Sequence, residues 1–410
     1  MILFSPGMDG HRQVYVRAFA DVLLSAGCRV CVVGDLSQGA SRAGLVHLRP
    51  LFTDRRVDFL STEDEPRNGL DVGLAWVREL VARYRADVIV FMEADNHLGL
   101  LSAQAASGSR IPGRRVGVFL RSTNYARKRA GHKSTRQSLS RLAHLPVSWR
   151  TDAKVFHEYL VPRFHVLDEA LCLDEAFALP GRGYRWLPDI DGLSVDSEDQ
   201  DESDREWLRR VDKLIRDSGS SRVVLYYGTP QLRRGYDLLV RLAYEVEGCF
   251  VHCGLPAADA DLINDTHVLL GKLADSGRLF ETREYIESFS VMRGFLERCR
   301  SVPLPYRRHL GSSGVMLQAL RAGRPVIVDE AGLMGERVTK HHLGLTIQGG
   351  DFDELVAAFL KLEEMGASAF ADDIADFVTH FSRQQVALAI LAAAGLESVG
   401  AIVPQAKPEK

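Results

Sequence analysis

The sequence predicts an α/β protein made of two doubly wound domains, and three observations support this prediction. The chain has 410 residues, more than a single hydrophobic core usually serves. Short apolar runs alternate with amphipathic helical segments in both halves, which is typical of parallel sheets covered by helices. A polar, strongly acidic stretch separates the two halves.

The first half supplies the elements of an N-terminal domain, predicted over residues 1–187. Its strand-like runs are MILFSP, CRVCVVG, DVIVFME and RVGVFLRS, and its helical segments are HRQVYVRAFADVLLSAG and DVGLAWVRELVARYRA. The first helical segment places apolar residues at helical spacing from Val14 to Leu23, and Gly27 suits its C-cap.

The stretch PDIDGLSVDSEDQDESDREW follows, and it carries too little apolar surface to fold alone. We interpret residues 188–205 as a linker between the domains. A surface loop within one domain is the alternative interpretation.

The second half repeats the alternation and predicts a C-terminal domain over residues 206–380. Its strand-like runs are SRVVLYYG, CFVHCG, SVPLPY and RPVIVDE, and its helical segments are GYDLLVRLAYEV, REYIESFSVMRGFLERC, GVMLQALRAG and FDELVAAFLKLEEMG. The last segment, RQQVALAILAAAG, is apolar on all sides and requires burial between other elements. Two such domains are expected to face a cleft, and ligands in open parallel sheets bind beyond the carboxyl ends of the strands.

Composition narrows the class of protein. The net charge of −3 gives no overall attraction to nucleic acid or membrane, and six cysteines do not make a disulfide framework. The N-terminus lacks the basic and apolar regions of a signal peptide, and no apolar stretch reaches the ~20 residues of a membrane span. We therefore expect a cytoplasmic protein, with membrane-peripheral association as a further expectation.

Two loops of the first half carry candidate chemistry. In SPGMDGHRQVY, Gly7 and Gly10 allow the backbone to approach a ligand, although glycine in such a loop also serves the turn alone. His11 and Arg12 lie in the first helical turn, where a cation is unfavourable unless an anion is near. This mismatch predicts a bound phosphate or carboxylate. The spacing is not that of a dinucleotide fingerprint.

In FMEADNHLGL, the side chains of Glu93, Asp95, Asn96 and His97 follow a strand. A carboxylate and an imidazole at that place suit acid–base chemistry or the orientation of a hydroxyl. Capping of a helix that begins near Leu98, by Asp95 or Asn96, explains the same residues.

The segment LRSTNYARKRAGHKSTRQSLSRLAH is strongly basic, and it includes Arg121. It indicates either a solvated helix face or a surface for an anionic acceptor or an anionic membrane. Tyr125 is its only aromatic residue, so the base stacking of single-strand binders is poorly supplied.

Two loops of the second half point to an anion. In YYGTPQLRRGYDLL, Arg233 and Arg234 precede a helix, and two guanidinium groups suit a diphosphate, although a plain surface turn is the alternative. In PYRRHLGSSGVMLQALRAGRPVIV, the run from Ser312 to Gly314 lies at a helix start behind the basic residues ending in His309. One N-cap serine is expected at such a place, whereas the whole cluster indicates an oxyanion or phosphate pocket.

These segments resemble the GT-B glycosyltransferases of the retaining, metal-independent type, which are family 4-like, group 1 enzymes. RVVLYYGTPQLRRGYDLLVRLA resembles the unit that opens their donor domain, and VPLPYRRHLGSSGVMLQALRAGRPVIVDEAGLMGERV resembles their donor-binding signature. SPGMDGHRQVYVRAFADVLLSAGCRVCVVG is similar to their first N-terminal unit. The resemblance implies two Rossmann-like domains and a last helix, over residues 381–400, that crosses back onto the N-terminal domain.

The resemblance also implies roles for individual residues. Donor contacts are expected from a set of loop and helix residues: Gly7, Gly10, Arg233, Arg234, Ser312, Ser313, Gly314, Gln318 and Glu330. The residues expected at the chemistry are His97, Asp95 and His309, and those expected at the acceptor are His11, Arg121 and Tyr125. No metal and no cofactor are expected besides the nucleoside-diphosphate sugar.

One departure from the family pattern stands out. The family has two glutamates eight positions apart, and Leu310 and Gln318 stand at those places here. An amide still hydrogen-bonds a ribose diol, and His309 or Glu330 would replace the other glutamate.

The sequence thus predicts a glycosyltransferase of polysaccharide biosynthesis that acts on a glycan, lipid-linked or small-molecule acceptor, with retention as the family expectation. We expect peripheral membrane contact through residues 121–141 and no specific nucleic acid. The alternatives are an epimerase or phosphorylase of the same fold, and an inactive nucleotide- or sugar-binding partner of a transferase. A nucleic-acid binder is a third alternative.

Overall fold

A computed structural model describes most of the chain, and it divides into two compact units. The described residues are 1–8, 11–36, 42–62, 70–97, 101, 108, 110–120, 165–178, 183–190, 202–255, 264–284, 286 and 288–396. Unit 1 comprises Met1–Ile190 with Phe381–Lys410, and unit 2 comprises Asp191–His380.

Unit 1 is built on a seven-stranded sheet in which all the strands are parallel. The strands are β1 (Ile2–Ser5), β2 (Val30–Gly34), β3 (Val57–Ser61), β4 (Val88–Phe91), β5 (Arg114–Phe119), β6 (Glu169–Cys172) and β7 (Arg185–Trp186). Their order, β3-β2-β1-β4-β5-β6-β7, reverses direction beside β1, and this is the doubly wound pattern. β1, β2 and β4 are buried along their whole length, which explains their continuous apolar runs.

Among the described residues, the helices of the N-terminal part of unit 1 are α1 (His11–Ser25) and α2 (Leu70–Arg83), with 3-10 segments at Arg42–Thr53 and Ala94–Asn96. One face of the sheet forms a core with α2, in which Trp76, Val77 and Leu80 pack with Ile2 and Phe91. The first loop from strand to helix therefore lies at the carboxyl end of the central strand β1.

Unit 2 contains two three-stranded parallel sheets. Its strands are β8 (Val223–Tyr227), β9 (Cys249–Cys253), β10 (Leu279–Glu281), β11 (Val302–Leu304), β12 (Val326–Asp329) and β13 (Gly344–Ile347). The orders are β10-β9-β8 and β11-β12-β13, and β8 lies against β11. The loops after β8 and β11 are consequently neighbours.

The helices of unit 2 are α3 (Glu202–Ser218), α4 (Tyr236–Glu245), α5 (Asn264–Asp275), α6 (Phe289–Glu297), α7 (Gly314–Arg321), α8 (Gly332–His341), α9 (Phe352–Met365) and α10 (Ala371–Thr379). Short 3-10 segments stand at Leu232–Arg234 and Ala367–Phe370. Helix α3 begins inside the stretch predicted as a linker, whose residues 191–201 lie outside the described part.

One expectation about local structure in unit 2 was wrong, and one helix was not predicted. The helix predicted from Arg283 begins at Phe289, because the Ser288 side chain caps it by accepting from the backbone N–H of Val291, 3.3 Å away. The segment after β12, for which no element was predicted, forms α8, which contains Glu336.

The last helix, α11 (Arg383–Ala394), belongs to unit 1, as predicted for the helix that crosses back. It contacts α1, β5 and β6. Arg114 on β5 donates from Nε to the carbonyl of Ala393, 2.7 Å away, at the end of this helix. Among the described residues, no helix has both the length and the hydrophobicity needed to cross a membrane.

Candidate functional site

The carboxyl ends of β8 and β9 in unit 2 are each followed by a glycine, Gly228 and Gly254. Gly228 has φ of +100° and Gly254 has φ of +152°, values that L side chains rarely adopt. The two residues are in van der Waals contact, because a Cβ on Gly254 would lie 2.6 Å from the carbonyl oxygen of Gly228. At this edge of the sheet, the backbone after β8 therefore packs directly against the backbone after β9, with no side chain between the two glycines.

The hydroxyl of Tyr226, on β8, organises the loop that follows. It donates to the carbonyl oxygen of Thr229, 2.9 Å away, and accepts from the backbone N–H of Gln231, 3.2 Å away. Burial raises the pKa of Tyr226 to about 12, although its hydrogen bond with Arg234 acts in the opposite direction. The phenol thus remains neutral and serves as an internal hydrogen-bonding partner of the loop.

The predicted arginine pair occupies the short 3-10 turn at the end of this loop. Arg233 is exposed, and Arg234 is half-buried. The guanidinium of Arg234 lies over Gly228, since a Cβ on that glycine would be 3.0 Å from Nη1 of the arginine. No ion pair among the described residues involves Arg234, so its charge is held at this edge without a carboxylate.

The loop after β11 is joined to the loop after β8 through Arg307. Its guanidinium forms a bidentate ion pair with Asp237 of α4, at 2.7 and 2.8 Å, and also donates to the carbonyl of Leu232, 2.7 Å away. Its backbone N–H donates to the carbonyl of Arg233, 2.8 Å away. The structure therefore brings the predicted arginine segment and the predicted serine segment together through their backbones.

The predicted serine cluster lies at the start of α7. Ser313 is buried and is the N-cap, since its Oγ accepts from the N–H of Met316, 3.4 Å away. Nη1 of Arg337, from α8, donates to Oγ of Ser312 at 2.8 Å, and Nε2 of His309 donates to the Ser312 carbonyl at 2.9 Å. Arg337 is 2% exposed, so its buried positive charge adds to the positive end of α7.

The remaining residues predicted in unit 2 differ in exposure. Gly314, the first residue of α7, is exposed, and a Cβ there would meet no atom within 4 Å. Gln318 is half-buried on the same helix, one turn further on. Glu330 is exposed at the end of β12, where its N–H donates to the carbonyl of Ile347, 2.9 Å away.

At the corresponding edge of unit 1, Arg12 has a counterion within the chain. Its Nε lies 2.7 Å from Oε2 of Glu93, a side chain that is 8% exposed. The guanidinium also covers Gly7, where a Cβ would be 2.3 Å from Nη1. The carboxylate after β4 thus supplies a negative charge beside Arg12 from within the chain, and the bound phosphate or carboxylate at this loop stays a prediction.

The other predicted residues of unit 1 stand beside this pair. Asn96 donates to Glu93 at 2.9 Å, and Asp95 accepts from the N–H of Leu120 at 3.4 Å. His97 packs on the ring of Phe4, with centroids 5.3 Å apart. Burial, with a smaller effect of Arg12, lowers its pKa to about 4 against the opposing effect of Asp95.

Several predictions fall outside what the structure describes. Gly10, Arg121, Tyr125 and the whole basic stretch of residues 121–141 are outside the described residues, and His11 is described only by its backbone at the start of α1. Among the residues described, no three His, Cys, Asp or Glu side chains group as metal ligands.

Sequence reasoning did not identify three residues that shape the site in unit 2: Tyr226, His252 and Arg337. His252 is 1% exposed on β9, and its Nε2 lies 3.0 Å from the carbonyl oxygen of Gly228. A histidine within the apolar run CFVHCG was the available signal, because a polar group in a buried strand requires a partner. No comparable signal in the sequence indicates the role of Arg337, because the partners of this side chain lie on another element.

Comparison with known proteins identifies the fold. No family model and no curated protein match the sequence. Solved structures match over nearly the whole chain. WaaG, a glycosyltransferase involved in lipopolysaccharide biosynthesis, is 14% identical with a TM-score of 0.57, and the match covers 97% of this chain and 100% of WaaG.

Two further structures match similarly. HepE from Anabaena, in complex with UDP and glucose, is 14% identical with a TM-score of 0.58, covering 98% of each chain. A putative UDP-N-acetylglucosamine 2-epimerase from Listeria monocytogenes is 11% identical with a TM-score of 0.57, covering 100% of this chain and 98% of that one. The predicted GT-B fold is thereby confirmed.

Proposed function

We propose that the protein is a glycosyltransferase that takes its sugar from a nucleoside-diphosphate donor bound by unit 2. One observation carries this proposal: the guanidinium of Arg234 lies over Gly228. It is hydrogen-bonded to the neutral phenol of Tyr226, and no carboxylate among the described residues pairs with it. A diphosphate is the anion that best suits this edge, because α7 begins in the adjoining loop with buried Arg337 behind it. The GT-B fold and the UDP in HepE agree with this assignment.

In the proposed reaction, the leaving diphosphate gains negative charge as its bond to the sugar breaks. Arg234 and Arg233 would stabilise this charge, together with the N–H groups at the start of α7 and the hydroxyls of Ser312 and Ser313. The proposal assigns leaving-group stabilisation to these residues without a metal, and it keeps retention of configuration as its stereochemical expectation. Gln318 and Glu330 are proposed for the hydroxyls of the donor.

Unit 1 is proposed to hold the acceptor, which is a glycan, a lipid-linked sugar or a small molecule. His97 is the proposed acid–base or hydroxyl-orienting group there, with Asp95 beside it, and His309 of unit 2 is the proposed second group at the chemistry. At neutral pH, His97 is uncharged, since burial lowers its pKa to about 4. A neutral imidazole accepts a proton or a hydrogen bond from a hydroxyl, which is what this role requires.

A second candidate function is a nucleotide- or sugar-binding partner without transferase activity. Leu310 and Gln318 favour it, because they stand where the resembling family has two glutamates. An epimerase of the same fold is a third candidate, which the similarity to the Listeria monocytogenes protein favours.

Binding is tested first, by thermal shift and calorimetry with UDP, GDP, ADP, CMP and TDP. A ligand at one hundred times its dissociation constant should add about 2.7 kcal/mol to the free energy of unfolding. The matching nucleosides serve as controls, and they should bind much more weakly because they lack the phosphates. If none of the nucleotides binds, the proposed function is wrong.

Turnover is tested next, with the sugar form of the nucleotide that binds. A transferase releases the nucleoside diphosphate in an acceptor-dependent reaction and forms a new glycosidic bond. An epimerase changes the sugar without any acceptor, whereas an inactive partner binds the donor and releases nothing under any condition.

A further inference from the structure

His252 faces two hydrogen-bonding partners from within the sheet of unit 2. Its Nε2 lies 3.0 Å from the carbonyl oxygen of Gly228, and its Nδ1 lies 3.4 Å from Oε1 of Glu281 on β10. A carbonyl oxygen only accepts, so Nε2 carries a hydrogen and donates it. Glu281 in turn is ion-paired with Arg283 at 3.1 Å, which fixes the carboxylate that orients the ring.

The peptide group between Gly228 and Thr229 is therefore fixed in direction. Its carbonyl is directed at His252 on β9, and the same oxygen rests against Gly254, where a Cβ would be 2.6 Å away. No cis peptide bond occurs among the described residues, so the N–H of Thr229 is antiparallel to that carbonyl. The N–H of Thr229 thus points away from β9.

The environment of this N–H suits an anion. Thr229 is exposed, and within the described residues no acceptor bonds to its N–H. The guanidinium of Arg234 lies over the preceding residue, Gly228, and is hydrogen-bonded to Tyr226, whose hydroxyl also donates to the carbonyl of Thr229. One backbone donor and one cation are consequently placed at the same end of β8.

We propose that His252 is a positioning residue, which turns the N–H of Thr229 away from β9 so that it binds a phosphate oxygen of the nucleotide together with Arg234. The inference rests on the proposed function, since it assigns the phosphate of the donor to the end of β8. His252 itself is 1% exposed and does not touch the ligand. Its effect passes through the Gly228 carbonyl.

Two substitutions at one position separate this role from a merely structural one. In His252→Gln, the amide nitrogen reaches about the place of Nε2 and can still donate to Gly228. In His252→Asn, the amide nitrogen stands about where Nδ1 was, so the bond to Glu281 is kept and the bond to Gly228 is lost. The probes are UDP and uridine, measured by calorimetry, with thermal unfolding of each variant as the folding check.

We expect the Asn variant to bind UDP about tenfold more weakly than the Gln variant, the effect of one lost hydrogen bond to a charged group. Uridine has no phosphate, so the two variants should bind it equally. Equal losses in the two variants, or parallel losses of UDP and uridine, would overturn the inference, because either result means that His252 only supports the fold.

A measurement on the wild-type protein keeps the inference testable if a variant fails to fold. The Thr229 amide proton should shift in an NMR titration with UDP and remain in place with uridine. No shift at saturating UDP removes the inference and leaves the proposed function standing. A wild-type protein that binds no nucleotide at all removes both.

Discussion

The loops that follow the central strands of the two units, β1 and β8, are built in opposite ways. In unit 1, the first loop after a strand is closed by Met8, which is wholly buried, and by the ion pair of Arg12 with Glu93. In unit 2, the equivalent loop begins with Gly228, and the guanidinium of Arg234 lies over that glycine with no carboxylate paired to it among the described residues. The two loops hold equivalent topological positions, and they differ in whether a carboxylate of the described residues neutralises the arginine that lies over the glycine.

The same contrast appears in how each loop is held. Glu93 neutralises Arg12 and also accepts from Asn96, 2.9 Å away, so the polar groups of unit 1 satisfy one another. In unit 2, Arg307 is paired with Asp237 and His252 lies beside Glu281, whereas the guanidinium of Arg234 is hydrogen-bonded to the phenol of Tyr226 and pairs with no carboxylate among the described residues. A neutral partner leaves the positive charge of Arg234 available to a ligand.

The sharpest test of this comparison replaces one arginine in each unit. Arg234→Ala should weaken the binding of the nucleoside diphosphate by about 10- to 150-fold, because a charge-assisted hydrogen bond contributes about 1.5–3 kcal/mol. Arg12→Ala should leave that affinity nearly unchanged and instead lower the thermal midpoint, since it deprives the buried Glu93 of its counterion. Calorimetry and thermal unfolding of both variants measure the two effects.

The comparison fails if the two variants exchange their effects. A large loss of nucleotide affinity in Arg12→Ala, with little change in Arg234→Ala, would place the phosphate at unit 1. It would also show that the ion pair with Glu93 opens when the ligand arrives.

The second test concerns the backbone contact at the carboxyl edge of unit 2. Gly254→Ala puts a Cβ 2.6 Å from the Gly228 carbonyl oxygen at a residue with φ of +152°. We expect a loss of about 2–3 kcal/mol of unfolding free energy, which lowers the midpoint by about 4–12 °C for a unit of this size. Thermal unfolding measures this effect.

The matched control is Gly271→Ala in the interior of α5, where a Cβ meets nothing within 4 Å. That substitution should be neutral or should stabilise by up to about 1 kcal/mol, because alanine is the better helix former. Equal midpoints for the two variants would mean that the edge of the sheet adapts, and then the fixed direction of the Gly228 carbonyl could not be maintained.

The sequence was sufficient to predict features that depend on neighbouring residues, and insufficient to predict contacts between residues far apart in the chain. Arg234 could be placed after a strand because the run YYGTPQLRRGYDLL carries the strand, the turn and the helix together. The partnership of Arg12 with Glu93 spans 81 positions (93 − 12), and that of Arg307 with Asp237 spans 70, so no spacing rule indicates them. The prediction of a bound anion beside Arg12 was made without Glu93 for the same reason, since a counterion remote in sequence resembles a missing one.

The same limit explains the fate of the serine cluster. The N-cap role of Ser313 is local, and sequence reasoning identified it as one of two possibilities. The bond from Arg337 to Ser312 depends on α8, a helix that the sequence did not predict. Helix α8 is short and begins with glycine, so its start carries no capping signal of the usual kind.

The smallest expected effect is a pH dependence that belongs to unit 1. Burial lowers the pKa of His97 to about 4, whereas the unfolded chain has the ordinary value of 6.5. Below 6.5, the unfolded chain binds a proton that the folded unit does not, so stability falls as the pH decreases from 6.5 towards 4. His97→Gln should flatten this slope by at most about 1.4 kcal/mol per pH unit, the effect of one proton.

The control is His267→Gln, an exposed position in unit 2, which should leave the slope unchanged. Thermal or urea unfolding between pH 4 and 7 measures the slopes, and an unaltered slope in His97→Gln would mean that the imidazole is protonated in the folded unit and is not the neutral acceptor that the proposed role requires.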